Sequence, residues 1–228
     1  MDHRLLPFLA ASAAIDRDHP AVRHLAVAVR QRHDIDTTHL AYHTVRNRYP
    51  HSMDIDAPEV SVSASDVLRN GHGICFAKSH LLAAVLRACG IATGLCYQKL
   101  SNGEQTYLHA VNAVWLRDLG RWIRLDARGN KPGVDARFSI DAEYLAFPIR
   151  ADRGERDFAE VHDRPLPSTL AALRSSRTVT ELARRLPGDM SAADKRQAAR
   201  ACFHLAVTVA ISQTADLTDT SNVRRGRS

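Results

Sequence analysis

The stretch from Gly71 to Gly90 constrains this chain more than any other. Two glycines, Gly71 and Gly73, and then Cys75 lead into a run from Phe76 to Ala88. That run is apolar at Leu81, Leu82, Val85 and Leu86, with Cys89 just beyond it. These positions share one broad stripe of an α-helix, so the run predicts a helix buried on that side and ended at Cys89-Gly90. From Ile91 the apolar period changes towards two, which predicts strands at 92–100, 108–116 and 121–126. The turn Arg117-Asp118-Leu119-Gly120 joins the last two as a hairpin. A helix packed on antiparallel strands is an α+β layer.

The rest of the chain is arranged around that unit. Residues 20–49 predict two helices. The first has Pro20 at its start and Val22, Leu25, Ala26 and Val29 at helical spacing. The second runs from Thr37 to Arg48 with Leu40, Ala41 and Val45 on one face. After a polar connection over 50–62, a short helix from Asp66 to Asn70 is expected, capped by Ser65 or Asp66 and stopped by Gly71. Residues 141–163 are expected to wrap the core, followed by helices near 167–175 and 178–186. Ser191 to Ile211 predicts one amphipathic helix, and the polar, basic-ended stretch Thr214 to Ser228 predicts disorder. The division is thus a domain over 1–187 and a C-terminal helix and tail over 188–228. Leu5 to Ala14 imitates a secretory leader, but Asp2 and Pro7 disturb it, and a first strand is the expectation. No stretch reaches the roughly 18–20 apolar residues of a membrane span, so no membrane partner is expected.

Composition removes several classes of function. The chain of 228 residues is 45% apolar, enough for a core without disulfide staples. Its four cysteines lack paired C-x-x-C spacing, which argues against a disulfide framework or zinc ribbon and for free thiols in a reducing cytoplasm. The net charge of +6 is carried mainly by scattered arginines. Aromatics are only 6% of the chain, too few for a row of base-stacking platforms, so no nucleic-acid partner is expected. His39 and His43 share a helical face without the Glu of a zincin pattern, and His72 with Cys75 makes only two ligands. Neither metal nor cofactor is expected. His80 is assigned to a solvated or packing role, and Cys89, Cys96, Trp115 and Trp122 to packing.

The chemistry centres on Cys75. It opens a helix, where unpaired N–H groups and the macrodipole favour a thiolate. Position alone would equally suit an inert buried cysteine. His109 lies near the start of one strand and Asp126 ends the next, so the hairpin brings them almost opposite each other at its open end. A carboxylate there can fix the histidine tautomer and stabilise its imidazolium. By these residues alone, a coincidental His–Asp pair stays open.

The segment GHGICFAKSHLLAAVLRACGIATGLCYQKL resembles the nucleophile segment of bacterial transglutaminase-like proteins. YLHAVNAVWL and GRWIRLDARGN resemble that superfamily's His and Asp strands, and IDRDHPAV its leading segment; together they span about residues 10–150. The resemblance implies a papain-like, transglutaminase-like core with Cys75 as nucleophile, His109 as general acid and base, and Asp126 as the group orienting it. It implies a thioester acyl-enzyme, with the Cys75 N–H supplying part of an oxyanion hole. Gln98 and Tyr97 are candidates for the second donor, and Arg128 and Asn130 for substrate contacts, although turn formation accounts for Asn130 equally well. The function implied is thiol-dependent hydrolysis of peptide, isopeptide or other amide bonds in a peptide, protein or small amide substrate. Acyl transfer to an amine would use the same triad. A non-catalytic peptide-binding module retaining the fold is the alternative from another class.

Overall fold

A computed structural model describes residues 2–205 of the chain. Four helices precede the sheet. Helix α1 (Pro20–Val29) places Pro20 at its first position and buries Val22, Leu25, Ala26 and Val29, as the spacing predicts. Helix α2 (Asp34–Arg48) starts three residues earlier than predicted, with Asp34 and Asp36 in the first turn, where the macrodipole favours acids. Its buried stripe is Thr38, Ala41, Tyr42 and Val45, while Leu40 is 38% exposed. Burying the tyrosine ring turns the helix away from the face expected. Helix α3 (Ala64–Asn70) is capped by Ser63 rather than Ser65, in a reciprocal capping box with Asp66.

Helix α4 (Cys75–Ala88) is buried on every side from Phe76 to Arg87, not only along the predicted stripe. It packs against α1, α2 and α3 and against the strands β1 (Thr93–Ser101) and β2 (Thr106–Leu116). The small residues Ala77, Ala83 and Ala84 let neighbours approach the faces that leucines do not fill. Arg87 is buried with it and is satisfied by the carbonyls of Thr93, Ala10 and Asp163.

The sheet has the order β3-β2-β1-β4, with β3 (Arg121–Leu125) and β4 (Arg156–Asp157) at its edges and every pairing antiparallel. Leu108, Ala110, Val114 and Leu116 join the core around α4, whereas Val111, Ala113 and Trp115 join a second cluster. There Trp115 and Trp122 are cross-strand partners with ring centroids 5.6 Å apart. Phe8 joins them from a 3₁₀ helix, His3–Leu9, where a strand was expected. Pro7 has no N–H for a ladder, Asp2 accepts the Arg4 N–H as a cap, and Leu5 and Phe8, three apart, face inward together.

Helices α5 (Pro167–Ser175) and α6 (Val179–Arg184) lie close to their predicted positions. Helix α7 (Ala192–Ala198) is much shorter than predicted. The chain then extends into β6 (Phe203–His204), which pairs with β5 (Glu160–Val161). Phe203 and Leu205, two residues apart, both reach the tryptophan cluster, a spacing that suits extended chain and not helix. The rest of the expected helix, 206–211, and the tail over 214–228 lie outside the described residues. Among the described residues no helix is long and apolar enough to cross a membrane.

Candidate active site

The nucleophile turn is set by two glycines with different jobs. Gly71 ends α3 in the left-handed region at φ 80°, where a side chain would be strained. Gly73 is a close-packing point: a Cβ there would sit 3.1 Å from Val67 Cγ2 and 3.2 Å from Ala77 Cβ. The turn is pinned by residues 50–52. Gly73 N–H donates to the Pro50 carbonyl at 3.3 Å, and Ser52 N–H donates to the Gly73 carbonyl at 3.2 Å. Cys75 follows as the first residue of α4, half-buried, with its thiol free. The preceding residue, Ile74, offers no side-chain cap, so the N–H groups at this helix end are not consumed by one.

His109 is buried in β2, and its Nε2–H donates to Asp126 Oδ2 at 2.7 Å. Asp126 comes directly after β3 and is fully buried. It also accepts the backbone N–H groups of Arg128 at 2.9 Å and Ala146 at 3.0 Å. Leu125 is opposite Asn112 in the ladder, so Asp126 meets His109 diagonally rather than face to face. The edge of the Phe147 ring packs on His109, with centroids 5.1 Å apart.

The electrostatics follow from these contacts. Burial pulls the His109 pKa down, but the Asp126 charge, the adjacent Cys75 and hydrogen bonds to both raise it to about 10. Burial likewise pushes Asp126 up, while the charge and hydrogen bond of His109 and the two backbone donors bring it below the usual carboxylate range. The imidazole is therefore held as imidazolium by groups in direct contact with it.

The other expected residues scatter around this centre. Gln98 pairs with His109 across β1 and β2, and its Nε2 reaches the Phe147 carbonyl at 3.5 Å. The Tyr97 hydroxyl accepts the Leu166 N–H at 3.1 Å and is committed to the start of α5. Arg128 makes a bidentate pair with Asp54, at 2.6 and 2.9 Å, and lies over the Phe147 ring. Asn130 braces its own turn through Asp135 and the Ala136 N–H. His80 donates to or accepts from nothing catalytic; its ring lies 2.8 Å from the Val62 carbonyl. The His39 and His43 rings meet edge to face with centroids 4.4 Å apart, and no group of three or more metal-binding side chains occurs among the described residues.

Three neighbours were missed in the sequence. Lys78, one turn after Cys75, is wholly buried and donates to the carbonyls of Arg46, Tyr49 and Arg128. A lysine one turn after Cys75 on a largely apolar helix was its available signal. Phe147 and His51 stand in irregular segments, where no periodicity marks a buried side chain. A cavity of about 600 Å³ is lined by Gln98 and Phe147, which flank His109, and by Arg124, Ile140, Tyr144 and Ile149. Neither Cys75 nor His109 lines it; it adjoins His109 through Gln98 and Phe147.

Comparison with known proteins gives the chain its relatives. No curated protein matches it. Among solved structures, a Cytophaga hutchinsonii protein provisionally described as a cysteine protease is similar at 21% identity, with a TM-score of 0.47. The match covers 56% of this chain and 43% of that one, so the chain spans less than half the length of that protein. The sequence profile of the transglutaminase-like superfamily matches residues 23–127, a stretch that runs from within α1 to just past β3 and holds Cys75, His109 and Asp126. Residues 23–127, the α+β core that holds all three of these side chains, are thus the part of the chain that is similar to the transglutaminase-like superfamily.

Proposed function

We propose that the chain is a thiol-dependent hydrolase of peptide, isopeptide or other amide bonds, acting through Cys75, His109 and Asp126. The observation that carries this reading is the buried 2.7 Å contact from His109 Nε2 to Asp126, made beside a cysteine at a helix N-terminus. In the proposed cycle the Cys75 sulfur attacks the amide carbon, and the carbonyl π pair moves onto oxygen. His109 passes its proton to the leaving nitrogen, the C–N bond breaks, and a thioester remains. Water then attacks the thioester while His109 takes its proton. The C–S bond breaks, which releases the acid and restores thiolate and imidazolium. The cavity beside Gln98 and Phe147 is the proposed seat of a substrate side chain.

The test is labelling of the native protein with iodoacetamide across pH, read at each cysteine by mass spectrometry. Fast alkylation of Cys75 near pH 6, slowed in His109→Ala, is expected of a thiolate paired with a base. Slow labelling that rises only near the ordinary thiol range would sink the enzyme reading and favour a peptide-binding module. Release of acid against incorporation of an added amine, measured on one glutamine peptide, separates hydrolysis from transfer.

A further inference from the structure

Buried polar side chains nearly always have a partner, and His51 has none. The residue is 8% exposed, its Nδ1 is wholly buried, and its ring makes no hydrogen bond among the described residues. Its backbone is not idle: His51 bridges to Gly73, two residues before Cys75, within the pairing that pins the nucleophile turn. The charged groups around the ring are Arg128, Asp54, Lys78 and His109, and His109 and Lys78 in turn face Asp126. Burial first, then the Arg128 charge, lowers the His51 pKa to about 3, with Asp54 opposing. At neutral pH the ring is an uncharged imidazole with one unspent N–H.

We propose that His51 donates its ring N–H to the carbonyl oxygen of the substrate attacked by Cys75, as the second oxyanion donor beside the Cys75 backbone N–H. This rests on the hydrolase reading above. No proton changes hands in the step: as the sulfur–carbon bond forms and negative charge collects on oxygen, the hydrogen bond from His51 strengthens. Arg128 and Lys78 add positive potential at the same place. On β1, the Tyr97 hydroxyl is tied to the start of α5 by the Leu166 N–H it accepts, and Gln98 Nε2 leans to the Phe147 carbonyl at 3.5 Å. A substrate oxygen would give His51 the partner that the folded chain withholds.

The experiment compares two reactions of Cys75 in the full-length protein. Acetylation by p-nitrophenyl acetate passes through a tetrahedral oxyanion. Alkylation by iodoacetamide needs the same thiolate but forms no oxyanion. In His51→Phe, acetylation is expected to slow by roughly 10²–10³-fold while alkylation is unchanged, as for loss of one oxyanion donor elsewhere. His51→Gln, which carries an N–H, is expected to recover part of the rate. Acetylation unchanged in His51→Phe would overturn the proposal, and so would equal loss of both reactions, which would make His51 a structural wall of the turn. Failure of the hydrolase reading is visible separately, as a wild-type protein that acquires no acetyl group on Cys75.

Discussion

His109 is both buried and held in its charged form, two conditions that normally oppose each other because desolvation penalises the ion. The conflict is resolved by Asp126, whose own burial is relieved by His109, Arg128 and Ala146. This has a pH signature. With the His109 pKa raised to about 10, the contribution of the pair to stability is complete below the ordinary histidine value of about 6.5. It fades as pH rises through about 10. With Asp126 lowered, the same contribution is complete above the ordinary aspartate value of about 3.9 and fades as pH falls through the depressed one. Thermal melts of wild type and Asp126→Asn should therefore differ most between about pH 4 and 6.5, with the gap closing towards pH 10. A gap that stays constant to pH 10 would mean that Asp126 does not hold the imidazolium. Acylation of Cys75 in the same variant should fall by ~10⁴-fold, less than after loss of Cys75 or His109, because only tautomer and orientation are disturbed. The place of Cys75 at a helix start and the nearness of His109 to Asp126 were legible from helix and hairpin geometry, while their assignment as a triad came from the family resemblance. His51 was not, because it stands in a polar connection without periodicity and its pairing with Gly73 joins residues far apart in the chain.

At the scale of elements, α4 is where local pattern and tertiary packing diverge. Its existence, its end at Cys89-Gly90 and the three strands after it were legible because their periods of 3.6 and 2 are long and unbroken. Its burial on all sides was not, because that depends on α1, α2 and α3 arriving from elsewhere. Lys78 records the difference: a helix facing water on that side would let the lysine escape, whereas here it ties α4 to the end of α2 and to the turn after Asp126. Burial, partly opposed by Asp126, lowers its pKa to about 7, so holding the charged form here costs free energy. Lys78→Met keeps the volume and removes that cost but leaves three carbonyls unpaired, at about 1–3 kcal/mol each. The expected net loss is ~3 kcal/mol, seen as a lower urea midpoint with an unchanged slope. Equal stability would show that desolvation of the lysine cancels its three hydrogen bonds.

At the scale of the whole molecule, the question is what the segment after Pro187 does for the core. The Leu108 N–H donates to the Pro187 carbonyl at 2.7 Å, just before His109 on the same strand. Beyond it, Met190 and Ala198 are buried in the core around α4, and Asp189 pairs with Lys99 and Arg156. Asp194 is fully buried and accepts the N–H groups of Ser168 and Ser191, so it caps α5 as well as its own helix. Phe203 completes the ring of Phe8, Trp115 and Trp122, with centroids 5.2–6.4 Å away. Reading a single amphipathic helix through this segment missed these ties, because each belongs to a residue whose partner is far away in sequence. A chain ending at Pro187 would lose the aromatic closure of the second cluster and the cap of α5 together. Phe203 is only half-buried, so its loss costs less than the about 3–5 kcal/mol of a buried aromatic, but it goes together with buried Met190, Ala198 and Asp194, against a total stability of about 5–15 kcal/mol for a typical protein. The truncated chain is therefore expected to melt far below the full one or to lose a cooperative transition, as followed by calorimetry. An unchanged melting temperature would instead make everything after Pro187 an appendage, and would place the functional unit wholly within residues 1–187.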